Sequence, residues 1–240
     1  HYYEEVSGGR LHLDGGPRGV VAWVQVPHSE AYYGANACIA GQPGSSGMEG
    51  LPANPRFGFG APTLLEDAVK AVKASEPQFP WRDYDTNSDG VIDNVVLFHA
   101  GKDKSEGGGA EGIQAVWAHT ATIDEDQGGY TVDDGGTPDP ADDIKIKSYT
   151  VHPEDAAPGV IIHELGHTLG LPDLYDATDT GEASGAIWDT RALGMFPGKL
   201  LDTNPVHLSA WSKVALGWAT PLVVNSKAEA TEVPLGQTSH

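Results

Sequence analysis

The chain has 240 residues, a formal net charge of −20 and a single cysteine, Cys38. That length suits one domain of two lobes, divided as 1–170 and 171–240, or two small domains, and the acidic balance argues against nucleic acid and anionic membrane as partners, since both recruit lysine and arginine. One cysteine excludes an internal disulfide, and no apolar run approaches the roughly 18 residues of a membrane span.

From His1 to Tyr33 the residues read as strands. The run VVAWVQV, Val20 to Val26, is rich in β-formers and bounded by Gly19 and Pro27, which places it centrally in a sheet. Residues 34–62 hold many Gly and Pro and read as an irregular excursion in which Cys38 is incidental. Thr63 and Glu66 then form a capping box for a helix closed by Pro77, with Leu65, Ala68, Val69 and Val72 as its buried stripe.

The stretch DYDTNSDGVIDNVV carries the first chemical signal. With Asp85 at position one, Asn87, Asp89, Val91 and Asp93 fall at positions three, five, seven and nine. Gly90 takes position six, where a calcium loop turns sharply. Position twelve, normally a glutamate, is Val96, and VVLFHA reads as a strand rather than an exiting helix. The pattern predicts a structural calcium site feeding a strand, with a solvated turn as its alternative. Ile113–His119 reads as a short strand. Ile144–Val151 alternates, so it predicts either a strand able to pair with an extended peptide or a plain edge strand.

The second signal is PGVIIHELGHTLGLPDLYD, Pro158 to Asp176. His163 and His167 stand at i and i+4, so one helical turn puts two imidazoles on one metal. Glu164 flanks the same face, where its carboxylate can take a proton from metal-activated water. Pro158 and Gly159 suit a helix start, and Gly170 suits its end. Past that bend Asp173, ten residues after His163, can supply the third zinc ligand. Two neutral imidazoles and a carboxylate leave a formal charge of about +1, a weaker Lewis acid than an all-histidine site. Two histidines and a glutamate on a helix of Ile, Leu and Gly would otherwise be hard to satisfy in a core.

Beyond that helix, Asp176 and Asp179 lie in a turn-rich loop that reads as ordinary surface, with a second calcium as the alternative. Asn204 and Pro205 predict the start of a helix ending at Gly217, with Leu208, Trp211, Ala215 and Leu216 on its apolar side. PLVVNS then reads as a strand.

At HELGHTLGLPDLYD, with PHSEAYYGAN, the DxNxDGxID loop leading to HAG, and NPVHLSAWSKVALGW, the chain resembles the immune inhibitor A family of secreted bacterial zinc metallopeptidases, over nearly its whole length and with the segments in the family's order. The resemblance implies an α/β (α+β) metzincin-like fold. Its features would be a twisted, mainly parallel sheet with backing and active-site helices, and a smaller irregular and helical C-terminal lobe. It further implies a secreted endopeptidase that binds Zn2+ and Ca2+, acts on protein or peptide substrates and is made with a pro-segment. Starting at His1 without methionine or signal peptide, the chain reads as a trimmed mature fragment, and as a monomer. Carried over by position, His163, His167 and Asp173 are the zinc ligands and Glu164 the base. Where such proteins read W-D-x-M, this chain has Trp188, Asp189, Thr190 and Arg191, so Met195 becomes the candidate for the thioether floor under the metal. His207, Tyr175 and His119 are candidates for the group assisting at the oxyanion. The rival readings are a zinc hydrolase acting outside peptides and a metal-stabilised binding or adhesion module, for which Glu164 would have no use.

Overall fold

A computed structural model describes residues 1–16, 18–35, 60–123, 128–134, 143–176, 186–198 and 203–222. Cys38, Asp179, most of the 34–62 excursion and all of PLVVNS beyond Leu222 lie outside the described residues. The helices are α1 (Tyr2–Val6), α2 (Glu30–Tyr33), α3 (Ala61–Ser75), α4 (Pro158–Thr168) and α5 (Ala210–Ala215). The strands are β1 (Val96–His99), β2 (His119–Thr122), β3 (Tyr130–Val132), β4 (Ile144–Ile146) and β5 (Ser148–Pro153).

The main sheet runs β1-β5-β2, and β3 and β4 form a separate antiparallel pair. β1 pairs parallel with β5, Val96 opposite Thr150, whereas β2 pairs antiparallel with it, His119 opposite Val151. The expected mainly parallel sheet is thus a mixed one among the described strands. β5 is the central strand, and Tyr149 to Pro153 are all buried. The expected single strand Ile144–Val151 is two: β5 is bonded on both edges, and β4 pairs with β3 on one side while Lys145 bridges Val91.

Several elements differ from the sequence expectation for local reasons. Val20–Val26 forms no strand: Val20 is 93% and Trp23 67% exposed, and a cavity of about 1180 Å³ lies between this segment, α3 and β1. β-formers make a strand only where a ladder partner is within reach. The first helical segments, α1 and α2, also replace expected strands. α3 begins at Ala61 rather than at Thr63, because Pro62 in its first turn presets the helical φ. Its buried stripe is Leu64, Leu65, Val69 and Val72, with Ala68 half-buried. Ile113–Ala118 is not a strand, since side-chain carboxylates take its amides. Val116 N donates to Glu30 Oε1 at 3.2 Å and Ala118 N to Asp103 Oδ2 at 2.5 Å. α5 starts only at Ala210, capped by Ser209, whose hydroxyl accepts from Ser212 N. Val206 N is drawn off to Gly194 O, and the inward face carries Ser212 and Lys213 while Trp211 is exposed.

Two apolar clusters flank α4. One joins α3 to the strands through Leu65, Val69, Val116, Ile144, Tyr149 and Val151. The other gathers Tyr3 and Val6 of α1 with Leu171 and Leu208, and Ile162, Leu165 and Leu169 pack against it. α4 is therefore gripped from both sides, and it also packs on β2 and β5. Tyr3 Oη donates to Ile162 O at 2.5 Å, pinning the chain's start to that helix.

Three buried histidines, His99, His119 and His152, lie on β1, β2 and β5. Burial pushes the imidazoles of His119 and His152 down to about 4, and that of His99 below its ordinary value. Neither ring nitrogen of His152 has a hydrogen-bond partner. An unfolded histidine takes up its proton near 6.5, so this burial costs stability as pH falls from about 6.5 toward 4 and nothing above it. Relative to wild type, His152→Leu should gain about 2 kcal/mol on going from pH 7.5 to pH 5, or roughly 4–8 °C in Tm. Thermal melts across that range check this; parallel curves for the two proteins would contradict it.

Candidate metal centre

α4 begins with Pro158 in its first turn and ends where Gly170 adopts φ +86°, a conformation open to glycine but costly with a Cβ. The turn closes with Gly170 N donating to His167 O and Leu171 N to Gly166 O. The bend carries Asp173 back to the helix, as the spacing predicts.

His163 and His167 stand one turn apart, with ring centroids 5.2 Å from each other. Each Nδ1 meets a backbone carbonyl: His163 reaches Thr190 O at 2.8 Å and His167 reaches Leu171 O at 3.0 Å. Those carbonyls select the tautomer with the proton on Nδ1, which leaves the Nε2 lone pair of His163 for a metal, while that of His167 faces Arg191 Nη2 at 2.7 Å. Asp173 Oδ1 lies 3.0 Å from His163 Nε2 and 3.3 Å from His167 Nε2. Ligand atoms about 2.0–2.1 Å from one zinc in tetrahedral array stand about 3.3 Å apart. The donor chemistry and the two Asp173 spacings fit zinc. Glu164 also gathers with the two imidazoles, with donor atoms all within 4.8 Å of one another.

The carboxylates differ in environment. Burial raises the Glu164 carboxyl above its ordinary value, only partly offset by the neighbouring imidazoles. Burial also acts upward on Asp173, but His163 and His167 on its oxygen outweigh it and hold it far below the usual carboxylate range. One acid is thus easier to protonate and the other harder, the separation expected of a proton carrier beside a ligand. Thr120 of β2 donates its hydroxyl to Glu164 O at 2.8 Å, which ties α4 to the sheet.

The side chain set against the imidazoles is Arg191, which is fully buried. Its Nε donates to Pro172 O at 3.2 Å, Nη1 to His163 O, and Nη2 to Asp173 Oδ1 at 3.3 Å. Nη2 also touches His167 Nε2 at 2.7 Å. Met195, expected there, lies half-buried in a short turn further on. Asp189, also buried, holds this turn: Oδ1 accepts from Arg191 N at 2.8 Å, and Oδ2 from Ser209 N at 3.1 Å and Ser212 Oγ at 2.7 Å. Tyr2 Oη joins Thr190 Oγ1 at 2.6 Å, so α1 braces the residue whose carbonyl orients His163. Nothing in the sequence marked Tyr2 or Tyr3 as site residues; Arg191 was marked by its place in the methionine position of W-D-x-M, though not by any role of its own.

Of the three oxyanion candidates, Tyr175 stands at the site. Its ring stacks on His163 at 6.1 Å and 23°, and burial together with Asp173 pushes its phenol up to about 12. His119 is spent in the interior, with Nδ1 on Trp117 O and Nε2 on Tyr149 Oη. His207 is held by Glu5 at 3.0 Å and by the Tyr2 ring.

The Asp85–Asp93 loop forms a tight turn with Ser88 at φ +59° and Gly90 at φ +82°. Asp85 accepts from Asp89 N at 3.0 Å and Gly90 N at 2.8 Å, Asn87 from Asp89 N at 3.0 Å, and Asp89 from Val91 N at 2.9 Å. Asp93 Oδ2 accepts from Thr86 Oγ1 at 2.5 Å. These side chains are bonded to the turn's own amides and to Thr86, and Val96 opens β1 as expected.

A model of the "Immune inhibitor A peptidase M6, catalytic domain" family matches residues 1–218. Immune inhibitor A of Bacillus thuringiensis subsp. alesti is 35% identical over 225 residues, covering 88% of this chain and 30% of that protein. Pre-pro-metalloprotease PrtV of Vibrio cholerae serotype O1 (strain M66-2) is 32% identical over 231 residues, covering 88% of this chain and 22% of that protein. The chain thus spans less than a third of the length of these relatives. With a metal-ligating cluster of the right spacing and a match along most of its length, this chain belongs to the immune inhibitor A peptidase M6 family of metallopeptidases.

Proposed function

We propose that the chain is the catalytic domain of a secreted zinc endopeptidase that hydrolyses peptide bonds with Glu164 as general base. The observation that best supports this is the Asp173 oxygen lying 3.0 and 3.3 Å from two imidazole nitrogens of one helical turn, beside a buried glutamate. His163, His167 and Asp173 would hold the zinc. Bound there, the ion supplies Lewis acidity toward a carbonyl oxygen and lowers the pKa of water. Glu164 takes a proton from the attacking water and returns it to the leaving amine nitrogen, a shuttle that its raised pKa suits. Tyr175, stacked on His163, would donate its phenol proton in a hydrogen bond to the developing oxyanion. β2 is paired only with β5 among the described strands and touches α4 through Thr120, so its other edge can take an extended peptide by strand addition.

Calcium in the Asp85, Asn87, Asp89, Val91 and Asp93 loop is a structural part of the same proposal. The ligand-type residues at alternate positions and the left-handed Gly90 support it. One relative carries pre-pro-metalloprotease in its name, which supports export and a pro-segment here. No described helix is long and apolar enough to cross a membrane. The chain would act as a monomer on proteins or peptides.

Cleavage mapping on a mixed peptide pool tests this reading. Internal peptide cleavage that stops with a zinc chelator and returns with added zinc is the expected result. Turnover of small esters without peptide cleavage would favour a different hydrolase, and no turnover at all a binding module.

A further inference from the structure

We propose that Arg191 is a positioning residue of the metal centre, a buried guanidinium that fixes the third ligand, Asp173, against the helix carrying the other two. This rests on the reading of Asp173 as a ligand.

A fully buried arginine with no anionic partner would be strongly unfavourable, so its contacts must neutralise it. Here every arm of the fork is used. Nε reaches Pro172 O in the post-helix loop, Nη1 reaches His163 O within α4, and Nη2 reaches Asp173 Oδ1 at 3.3 Å. A single rigid plane therefore joins three points: the turn of helix bearing both imidazoles, the backbone just before Asp173, and the Asp173 oxygen itself. The same Nη2 lies 2.7 Å from His167 Nε2.

Room for the guanidinium is made by the helix. A Cβ on Gly166 would stand 2.8 Å from Arg191 Nη1 and 2.9 Å from Cδ, so the glycine between Glu164 and His167 is what lets the cation lie flat on α4. From the other side Asp189 accepts the Arg191 amide and anchors it to Ser209 and Ser212. The arginine is thus placed by a chain of buried groups, and it hands that placement on to Asp173.

A positive charge beside a cation site would by itself weaken metal binding. With two carbonyls and a carboxylate accepting from it, the charge is largely compensated, and the geometric effect dominates. The two effects have opposite signs, which makes the proposal testable without activity.

Zinc affinity is measured by competition with a chromophoric chelator on purified protein for wild type, Arg191→Met, Arg191→Lys, Asp173→Ala and the double variant Arg191→Met/Asp173→Ala. Removing a partner that orients a ligand weakens metal binding about 10–100-fold. Both arginine variants should show that loss, because lysine keeps the charge but not the fork. The double variant should bind no more weakly than Asp173→Ala alone, since the arginine acts through that aspartate. If Arg191→Met does not fold, the Lys variant and a guanidinium rescue of Arg191→Ala remain. Ethylguanidinium, unlike ethylammonium, should restore zinc affinity in that variant. Equal or tighter zinc binding by Arg191→Met or Arg191→Lys, or additive losses in the double variant, overturns the proposal. Should Asp173→Ala itself bind zinc as wild type does, the ligand assignment fails first, and the two failures are distinguished.

Discussion

Glu164→Ala should lose at least about a hundredfold in the rate of peptide hydrolysis while still binding zinc and melting close to wild type. A general base contributes about 10²–10⁴-fold, and Glu164 is the group whose environment suits that role. It is buried, its carboxyl is raised by that burial, and it follows His163 directly on α4. Its backbone carbonyl takes the Thr120 hydroxyl, a bond that survives removal of the side chain. Glu164→Gln keeps the shape and removes the basicity, so it should be as slow as Glu164→Ala. Proteolysis by either variant at the wild-type rate would remove Glu164 from the mechanism.

Asp173→Ala should lose most of the zinc affinity, by more than the roughly 10–100-fold that an orienting residue supplies. The change removes one of three donors and also leaves the Arg191 guanidinium buried without its carboxylate. Arg191 is buried but 33% of the Asp173 side chain is exposed, so the loss falls below the roughly 3–5 kcal/mol of a fully buried pair, and the metal-free protein should still melt lower. Asp173→Asn retains an oxygen but no charge and should fall between the two. Equilibrium dialysis against a zinc buffer reads the affinity, and calorimetry reads the stability. Wild-type values for Asp173→Ala in both would mean that the aspartate is neither ligand nor partner.

The metal helix was the most legible part of the sequence because its signals are local. Proline at the start, glycine at the end and histidines at i and i+4 act within one element, and α4 spans Pro158–Thr168 with Gly170 left-handed beyond it. The acidic turn from Asp85 to Asp93 was legible for the same reason. The β-rich run Val20–Val26 was not, since strand formation depends on a partner far away in sequence. Its neighbour in space, β1, is bonded only to β5 among the described strands. Ile113–Ala118 was misread because two distant carboxylates, Glu30 and Asp103, take the amides that a ladder would use. Arg191 was opaque for a further reason. Its importance lies in acceptors contributed by α4 and the loop after it, and no spacing rule links position 191 to positions 163, 172 and 173.

Zinc K-edge X-ray absorption on the wild-type protein and on Asp173→Ala addresses the centre most directly. The wild type should give two imidazole nitrogens at about 2.0–2.1 Å and one carboxylate oxygen at about 2.0–2.2 Å, completed by water. Asp173→Ala should lose the carboxylate oxygen and keep both imidazoles. Identical spectra from the two proteins, or a first shell lacking either imidazole, would contradict a zinc ion held by His163, His167 and Asp173.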